Sequence, residues 1–404
     1  MEAPQEEGKP DPLSAAALAH RLSRIEDSPT LALAATAKAL AQSGKAVLDF
    51  TAGEPDGPTP THIKQAGIAA IEANRTKYTP VAGIPELRAA IAASVNRRRR
   101  TRYQASNAIV TCGAKHALFN AFQTLCEPGD EVILISPYWV SFPPLVELSG
   151  ATPVIVEAQA SEQFVPTPQA IRAALSDRTK AIVINSPCNP TGAVIDEDRL
   201  AAIARLAQEC DLIIISDEIY DELVYPPIQH RSIVHVAPEV LDRTVLIGGL
   251  SKTYSMTGWR MGYAVGPQPW IDAMIRLQSH STSNPTSISQ YAALAALTGD
   301  QGPVEQMRRE FQQRRDRLVN GLNRLRPLHC SMPGGAFYAW CRVSDLGQPA
   351  ASIAAQWLEQ ALVVTVPGEG FGCADYVRFS FATSLETIDE GLRRLDTWLA
   401  SQKR

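Results

Sequence analysis

The sequence predicts an α/β protein: a mainly parallel, seven-stranded sheet in a large domain, with a smaller α+β domain beside it. Three observations carry that expectation. Seven short β-branched runs fall between about residues 108 and 266: "NAIVTCG", "DEVILIS", "TPVIVE", "TKAIVINSP", "DLIIISDE", "TVLIGGLS" and "GYAVG". Helical patterns such as "AKHALFNAFQTL" and "EDRLAAIARLAQE" alternate with them. After Pro303 the pattern changes to a long charged amphipathic helix, two strands, "AFYAWCRV" and "YVRFSFAT", and a closing helix, "SLETIDEGLRRLDTWLAS". Runs apolar on both faces, linked by helices, describe strands covered on both sides. The boundaries that follow are an N-terminal arm over 1–25, a small domain over 26–58 and 300–404, and a large domain over 59–299.

Composition narrows the function classes. The chain has 404 residues, 45% hydrophobic and 20% charged, with a net charge of −4. That balance lacks the basic excess that nucleic-acid or acidic-membrane binding favours. The start, "MEAPQEEGKPDPLSAAALAH", has no basic segment ahead of an apolar core, and no run of about 18 apolar residues occurs, so a cytoplasmic setting is expected. The seven cysteines are odd in number and never in a C-x-x-C arrangement, which signals neither a disulfide framework nor a metal site. The run Arg97 to Arg100 reads as a solvated helix end.

In open α/β sheets ligands collect beyond the carboxyl ends of the strands, so the loop after each run is where chemistry is sought. After the first run, Gly113 and Ala114 open a helix whose exposed N–H groups suit a phosphate, although a plain tight turn explains them equally well. After the second, Trp139 can stack a flat ring or simply belong to the core. "CNPTG" fixes Asn189 in a turn that can aim its amide at a ligand. Asp217 and Tyr220 stand at the end of the fifth run, where Asp217 alone also reads as a helix N-cap. Ser251 and Lys252 follow the sixth. Burial there lowers an amine's pKa, and a neutral amine is what attacks a carbonyl to form an imine. Arg260 lies eight positions on. An imine-forming lysine, a carboxylate, a phenol, an amide, an aromatic plate, a phosphate seat and an arginine are together what pyridoxal 5'-phosphate uses.

The stretches "SPYW", "NSPCNPTG", "SDEIY", "SKTYSMTGWRMGY" and "VRFSFATS" resemble the motifs of class I/II aminotransferases of pyridoxal-phosphate fold type I. The resemblance runs from about Ser23 to the C-terminus. "TAGEPD", "TKYTPVAGIPELR", "TCGAKHALFN" and "SMTGWR" resemble the bacterial aspartate aminotransferase branch, with its aspartate/prephenate relatives. The resemblance implies Lys252 as the Schiff-base lysine and proton-moving base, and Asp217 as the holder of the pyridinium proton. It implies Tyr220 and Asn189 on the phenolic oxygen and Trp139 stacked on the ring. Arg260, Ser251, Gly113 and Ala114 are implied as the phosphate site, with Tyr78 arriving from the partner subunit of a homodimer. Arg378, Gly53 and Asn189 are implied as holding the substrate α-carboxylate, and the alternation in "YVRFSFA" sets Arg378 and Ser380 on one face.

Lys115 resembles the lysine that meets a distal carboxylate in this branch, and Thr30 resembles a pocket residue. The expected activity is transfer of an amino group from aspartate or glutamate to a 2-oxo acid by a ping-pong cycle. Alternatives are a prephenate or aromatic aminotransferase, against which the acidic Glu26 weighs, and a lyase on the same scaffold. Gly57 and Cys188 depart from the branch's usual residues, an aromatic and an asparagine. A cofactor-sensing regulator is disfavoured, because the roughly 25 residues ahead of the fold leave no room for a DNA-binding domain.

Overall fold

The computed structural model describes residues 42–402, together with residues 19, 21–22, 25, 36–37 and 39–40. Strands β1 (Leu48–Asp49), β2 (Ala108–Thr111), β3 (Glu131–Ser136), β4 (Thr152–Glu157), β5 (Thr179–Asn185), β6 (Ile213–Asp217), β7 (Thr244–Gly249) and β8 (Gly262–Val265) come first along the chain. The last seven of these form one sheet in the order β2-β8-β7-β6-β5-β3-β4. All pairings in it are parallel except those of β8, which runs antiparallel to both β7 and β2. The seven apolar runs of the sequence are these seven strands.

Alternation along each strand feeds two separate cores, as side chains pointing to opposite faces require. Ile133, Ile182, Ile184, Ile214, Leu246 and Val265 enter one core. Val132, Leu134, Val183, Ile215, Val245 and Ala264 enter the other. Helices cover both faces and make the parallel crossovers. One of them, Glu197–Glu209, begins where the Asp196 carboxylate accepts the Arg199 backbone N–H at 2.8 Å, an N-cap contributing about 1 kcal/mol.

The C-terminal part contributes β9 (His329–Cys330), β10 (Tyr338–Arg342), β11 (Val363–Val364), β12 (Val366–Pro367) and β13 (Tyr376–Ser380). Four of them form an antiparallel sheet in the order β12-β13-β10-β9, while β11 pairs in parallel with β1. Helix Gly302–Arg324 packs on this sheet, and helix Leu385–Gln402 packs on that helix and against β11. Its core, with Phe311, Phe337, Trp357, Phe379 and Phe381, also takes in Phe50 and, from the segment after β6, Ile219, Tyr220, Leu223 and Tyr225. The segment that leaves the end of β6 is therefore shared between the two packing units.

One expectation fails. Arg98 and Arg99 do not belong to a solvated helix end. Arg99 is 3% exposed, with Nε 2.6 Å from Glu218 Oε2 and Nη2 2.9 Å from Asp221 Oδ2. Arg98 reaches Asp221 at 3.0 Å and also bonds Glu222. A local charge count misses this because the acidic partners lie about 120 positions away in sequence.

Candidate active site

The carboxyl ends of the central strands set the floor of the site. Asn185, Asp217 and Ile247 are in register across β5, β6 and β7. Asn185 acts as a strut: its Nδ2 donates to the Asp217 carbonyl at 3.2 Å and its Oδ1 accepts the Asn189 backbone N–H at 3.0 Å. Asp217 is 3% exposed, and burial pushes its carboxyl up to about 7, with the Ile219 N–H acting the other way. Its Oδ1 accepts that N–H at 3.2 Å. No helix follows, so the N-cap alternative is removed: the side chain closes a turn. Among the described residues no cation lies within salt-bridge distance of it. A buried carboxylate in that state is costly unless something positive completes it.

Lys252 stands just beyond β7, and its Nζ donates to the Gly53 carbonyl. Burial lowers its pKa to about 8; Glu54 opposes the shift, while Arg260, Arg378 and Lys115 add to it. An amine at that value is substantially neutral near pH 8 and able to attack a carbonyl.

Arg260 takes a left-handed φ of 55°, a conformation that costs a non-glycine residue about 1–2 kcal/mol. Its Nη1 donates to the Thr257 carbonyl at 3.0 Å and its Nη2 to the Cys112 carbonyl at 3.3 Å. The guanidinium lies against Gly113, where a Cβ would stand 2.6 Å from Nη2 and where φ is +88°. Gly113 immediately precedes the helix Ala114–Leu125. Gly262 lets β8 approach that helix start, since a Cβ there would meet the Ala114 nitrogen at 2.3 Å. Unbonded N–H groups, the positive helix end and an arginine together make a seat for an anion. Ser251 is buried nearby, one residue before Lys252.

Arg378, 2% exposed, comes from β13. Its Nη1 donates to Asn189 Oδ1 at 2.9 Å and its Nη2 to the Thr51 carbonyl at 3.0 Å, while its buried Nε has no partner. The guanidinium lies 4.4 Å from the Tyr338 ring centroid and 5.0 Å from that of Phe371. Tyr220 hydrogen-bonds Tyr338, hydroxyl to hydroxyl, at 3.0 Å; burial first and Tyr338 second raise its pKa well above the ordinary phenol value. Lys115 places its ammonium 4.9 Å from the Trp139 ring centroid, and burial and then Arg260 lower its pKa. Asn189, Asp217, Tyr220, Lys252 and Arg378 thus meet in one cleft, with Gly113, Ala114 and Arg260 on one flank. Tyr78 stands apart, 91% exposed. No atom comes within 4 Å of a Cβ built on Gly57. Thr30 and Glu26 lie outside the described residues.

Sequence reasoning missed four contributors: Asn185, Thr51, Tyr338 and Phe371. Tyr338 sat inside a run recognised as a strand. Its pairing with Ser380 puts Tyr338 and Trp340 on the face of Arg378, but that register is not written locally. Among the described residues no group of three or more His, Cys, Asp or Glu is placed to hold a metal ion, and no helix is long and apolar enough to cross a membrane.

Comparison with known proteins fits this geometry. The model of the family aminotransferase class I and II matches residues 45–395. An aspartate aminotransferase of Geobacillus stearothermophilus is 44% identical over 95% of this chain and 99% of its own length. An aspartate/prephenate aminotransferase of Thermus thermophilus is 44% identical over 93% of this chain and 97% of its own. The solved structure of Thermus thermophilus aspartate aminotransferase with maleate superposes with a TM-score of 0.91 at 43% identity, covering 94% of this chain and 99% of that one. Similarity of that extent, in sequence and in fold, makes the chain a member of the class I and II aminotransferases.

Proposed function

We propose that this protein is a pyridoxal-phosphate-dependent aminotransferase, moving the amino group of aspartate or glutamate to a 2-oxo acid in a ping-pong cycle. The observation that carries the reading is the segment Thr51–Gly53. Its two carbonyls, two residues apart, receive Arg378 and Lys252, so a fixed guanidinium and an amine with a pKa of about 8 face one cleft. A carboxylate binder and a nucleophilic amine side by side suit an α-amino acid.

The residues fit the cofactor. Asp217 offers a buried carboxylate without a cation in contact, suited to a protonated ring nitrogen. Gly113, Ala114, Ser251 and Arg260 offer the anion seat. When bound, the cofactor supplies an aldehyde and an electron-withdrawing ring. Lys252 Nζ would hold the aldehyde end of the cofactor and, once released by the substrate amine, would move the proton at the substrate Cα. Tyr220 and Asn189 would hydrogen-bond the phenolic oxygen, and Trp139 would cover the ring. Arg378 holds the α-carboxylate in a bidentate pair beside Gly53 and Asn189. Lys115 would meet the distal carboxylate.

The reading includes a homodimer in which Tyr78 completes the partner's phosphate site; a tyrosine 91% exposed supports it. It also includes a cytoplasmic setting, supported by seven free cysteines. Prephenate is the second amino acceptor to test, because several similar proteins carry the name aspartate/prephenate aminotransferase. Aspartate should convert the bound cofactor from its aldehyde to its amine form, seen as loss of the visible band. 2-Oxoglutarate should then restore that band. A spectrum unmoved by aspartate, glutamate and aromatic amino acids refutes the proposal, and restoration by prephenate adds the second acceptor.

A further inference from the structure

The Tyr220 and Tyr338 hydroxyls, 3.0 Å apart and both buried, carry two protons for one contact. Only one O–H fits between the oxygens; the acceptor's own proton must point elsewhere. If Tyr220 donates, the spare proton stays on Tyr338. Among the described residues that hydroxyl has no hydrogen-bond partner besides Tyr220, and an unpaired buried O–H is unfavourable. If Tyr338 donates, the spare proton stays on Tyr220, which also has no other partner among the described residues but stands on the same turn as Asp217, where the proposed cofactor would offer it an acceptor. The surrounding charge favours the second arrangement. Burial raises both phenols and Arg378, 4.4 Å from the Tyr338 ring centroid, makes both more acidic, but Asp217 acts against ionisation at Tyr220. The more acidic hydroxyl is the better donor.

We infer that Tyr338 is a positioning residue for the reaction: its hydroxyl donates to Tyr220 and so commits the Tyr220 proton to the phenolic oxygen of the cofactor. The inference rests on the function proposed above. A hydroxyl that accepts one hydrogen bond donates a stronger one, by about 10–30%. Tyr338 also ties the two halves of the site together, because the ring that carries this hydroxyl is the ring on which Arg378 rests.

The test is Tyr338→Phe in the cofactor-loaded protein. It keeps the ring under Arg378 and the contact with Phe337, whose centroid lies 4.6 Å away. With a weaker donor the phenolic oxygen becomes more basic, and the midpoint of the pH titration of the visible band moves up by about half a pH unit. Tyr220→Phe moves it further, and the double variant matches Tyr220→Phe alone, because Tyr338 acts only through Tyr220. The turnover number falls while the KM for aspartate holds, and the circular-dichroism spectrum shows that the fold is kept. A midpoint unmoved in Tyr338→Phe overturns the inference alone, as does an equal shift from Tyr338→Phe in the Tyr220→Phe background. A wild-type protein that never develops a visible band with pyridoxal phosphate overturns the proposed function and this inference with it.

Discussion

Replacing Asp217 by asparagine separates what its carboxylate costs the fold from what it contributes to the site. Burial holds the folded pKa at about 7, against about 3.9 in an unfolded chain. The folded state therefore binds more protons than the unfolded state between those values. Cofactor-free protein loses stability from this group as pH rises through that window, and the loss is complete above the folded pKa. Three pKa units correspond to roughly 4 kcal/mol at pH 8, and about one unit to roughly 1.5 kcal/mol at pH 5. Asparagine has no such dependence. Its unpaired amide adds a penalty of about 1–3 kcal/mol that is the same at both pH values. The stability of Asp217→Asn relative to wild type should thus be more favourable at pH 8 than at pH 5 by roughly 3 kcal/mol. Urea unfolding of both cofactor-free proteins, followed by circular dichroism, measures it. Activity should move the opposite way in the loaded enzyme, falling about a thousandfold, because an amide does not stabilise a protonated ring nitrogen. A relative stability equal at the two pH values refutes the reasoning, since Asp217 would then not titrate high in the folded protein.

Glu218→Gln leaves the buried Arg99 with Asp221 as its remaining acid and should destabilise the protein by about 3 kcal/mol, read by urea unfolding. Gly113→Ala meets Arg260 Nη2 at 2.6 Å in a left-handed conformation, and should weaken pyridoxal-phosphate affinity at least about tenfold in equilibrium dialysis. Arg378→Lys cannot reach Asn189 Oδ1 and the Thr51 carbonyl while presenting a fork to a carboxylate. Its kcat/KM for aspartate should fall about a hundredfold.

The sequence was most informative where chemistry is local. Strands β2, β3 and β5 to β8 showed themselves as apolar runs because burial on both faces leaves little room for polar residues, whereas the edge strand β4 is apolar although Ile155 is exposed. The residues just beyond their ends could then be read in order. Pairings set by distant register were not legible. Arg99 finds Glu218 and Asp221 only after helix Pro85–Arg99 packs against β2 and brings its C-terminal end to the segment after β6. Tyr338 meets Tyr220 only because β10 brings a second core against the segment after β6. Asn185 looked like the last residue of a strand, and its work as a strut depends on a turn that folds back four residues later. Each of these residues acts through a partner whose position no local pattern specifies.

The cations of the cleft differ from the ion-paired arginines in what satisfies them. Arg98, Arg99, Arg314, Arg317 and Arg393 pair with carboxylates, which largely cancel their charge. Lys252, Arg260 and Arg378 rest on the carbonyls of Gly53, Thr257, Cys112 and Thr51 and on the Asn189 amide oxygen. Neutral acceptors orient a cation without neutralising it. The cleft therefore stays positive in a chain whose net charge is −4. That shared field has two consequences of opposite kind. It attracts a phosphate and one or two carboxylates to the permanently charged guanidinium groups. It also helps to discharge Lys252: Arg260, Arg378 and Lys115 all press its pKa down, against the opposing pull of Glu54. A carboxylate placed against Arg378 would have satisfied its hydrogen bonds as well, but would have blocked the substrate and allowed Lys252 to keep its proton.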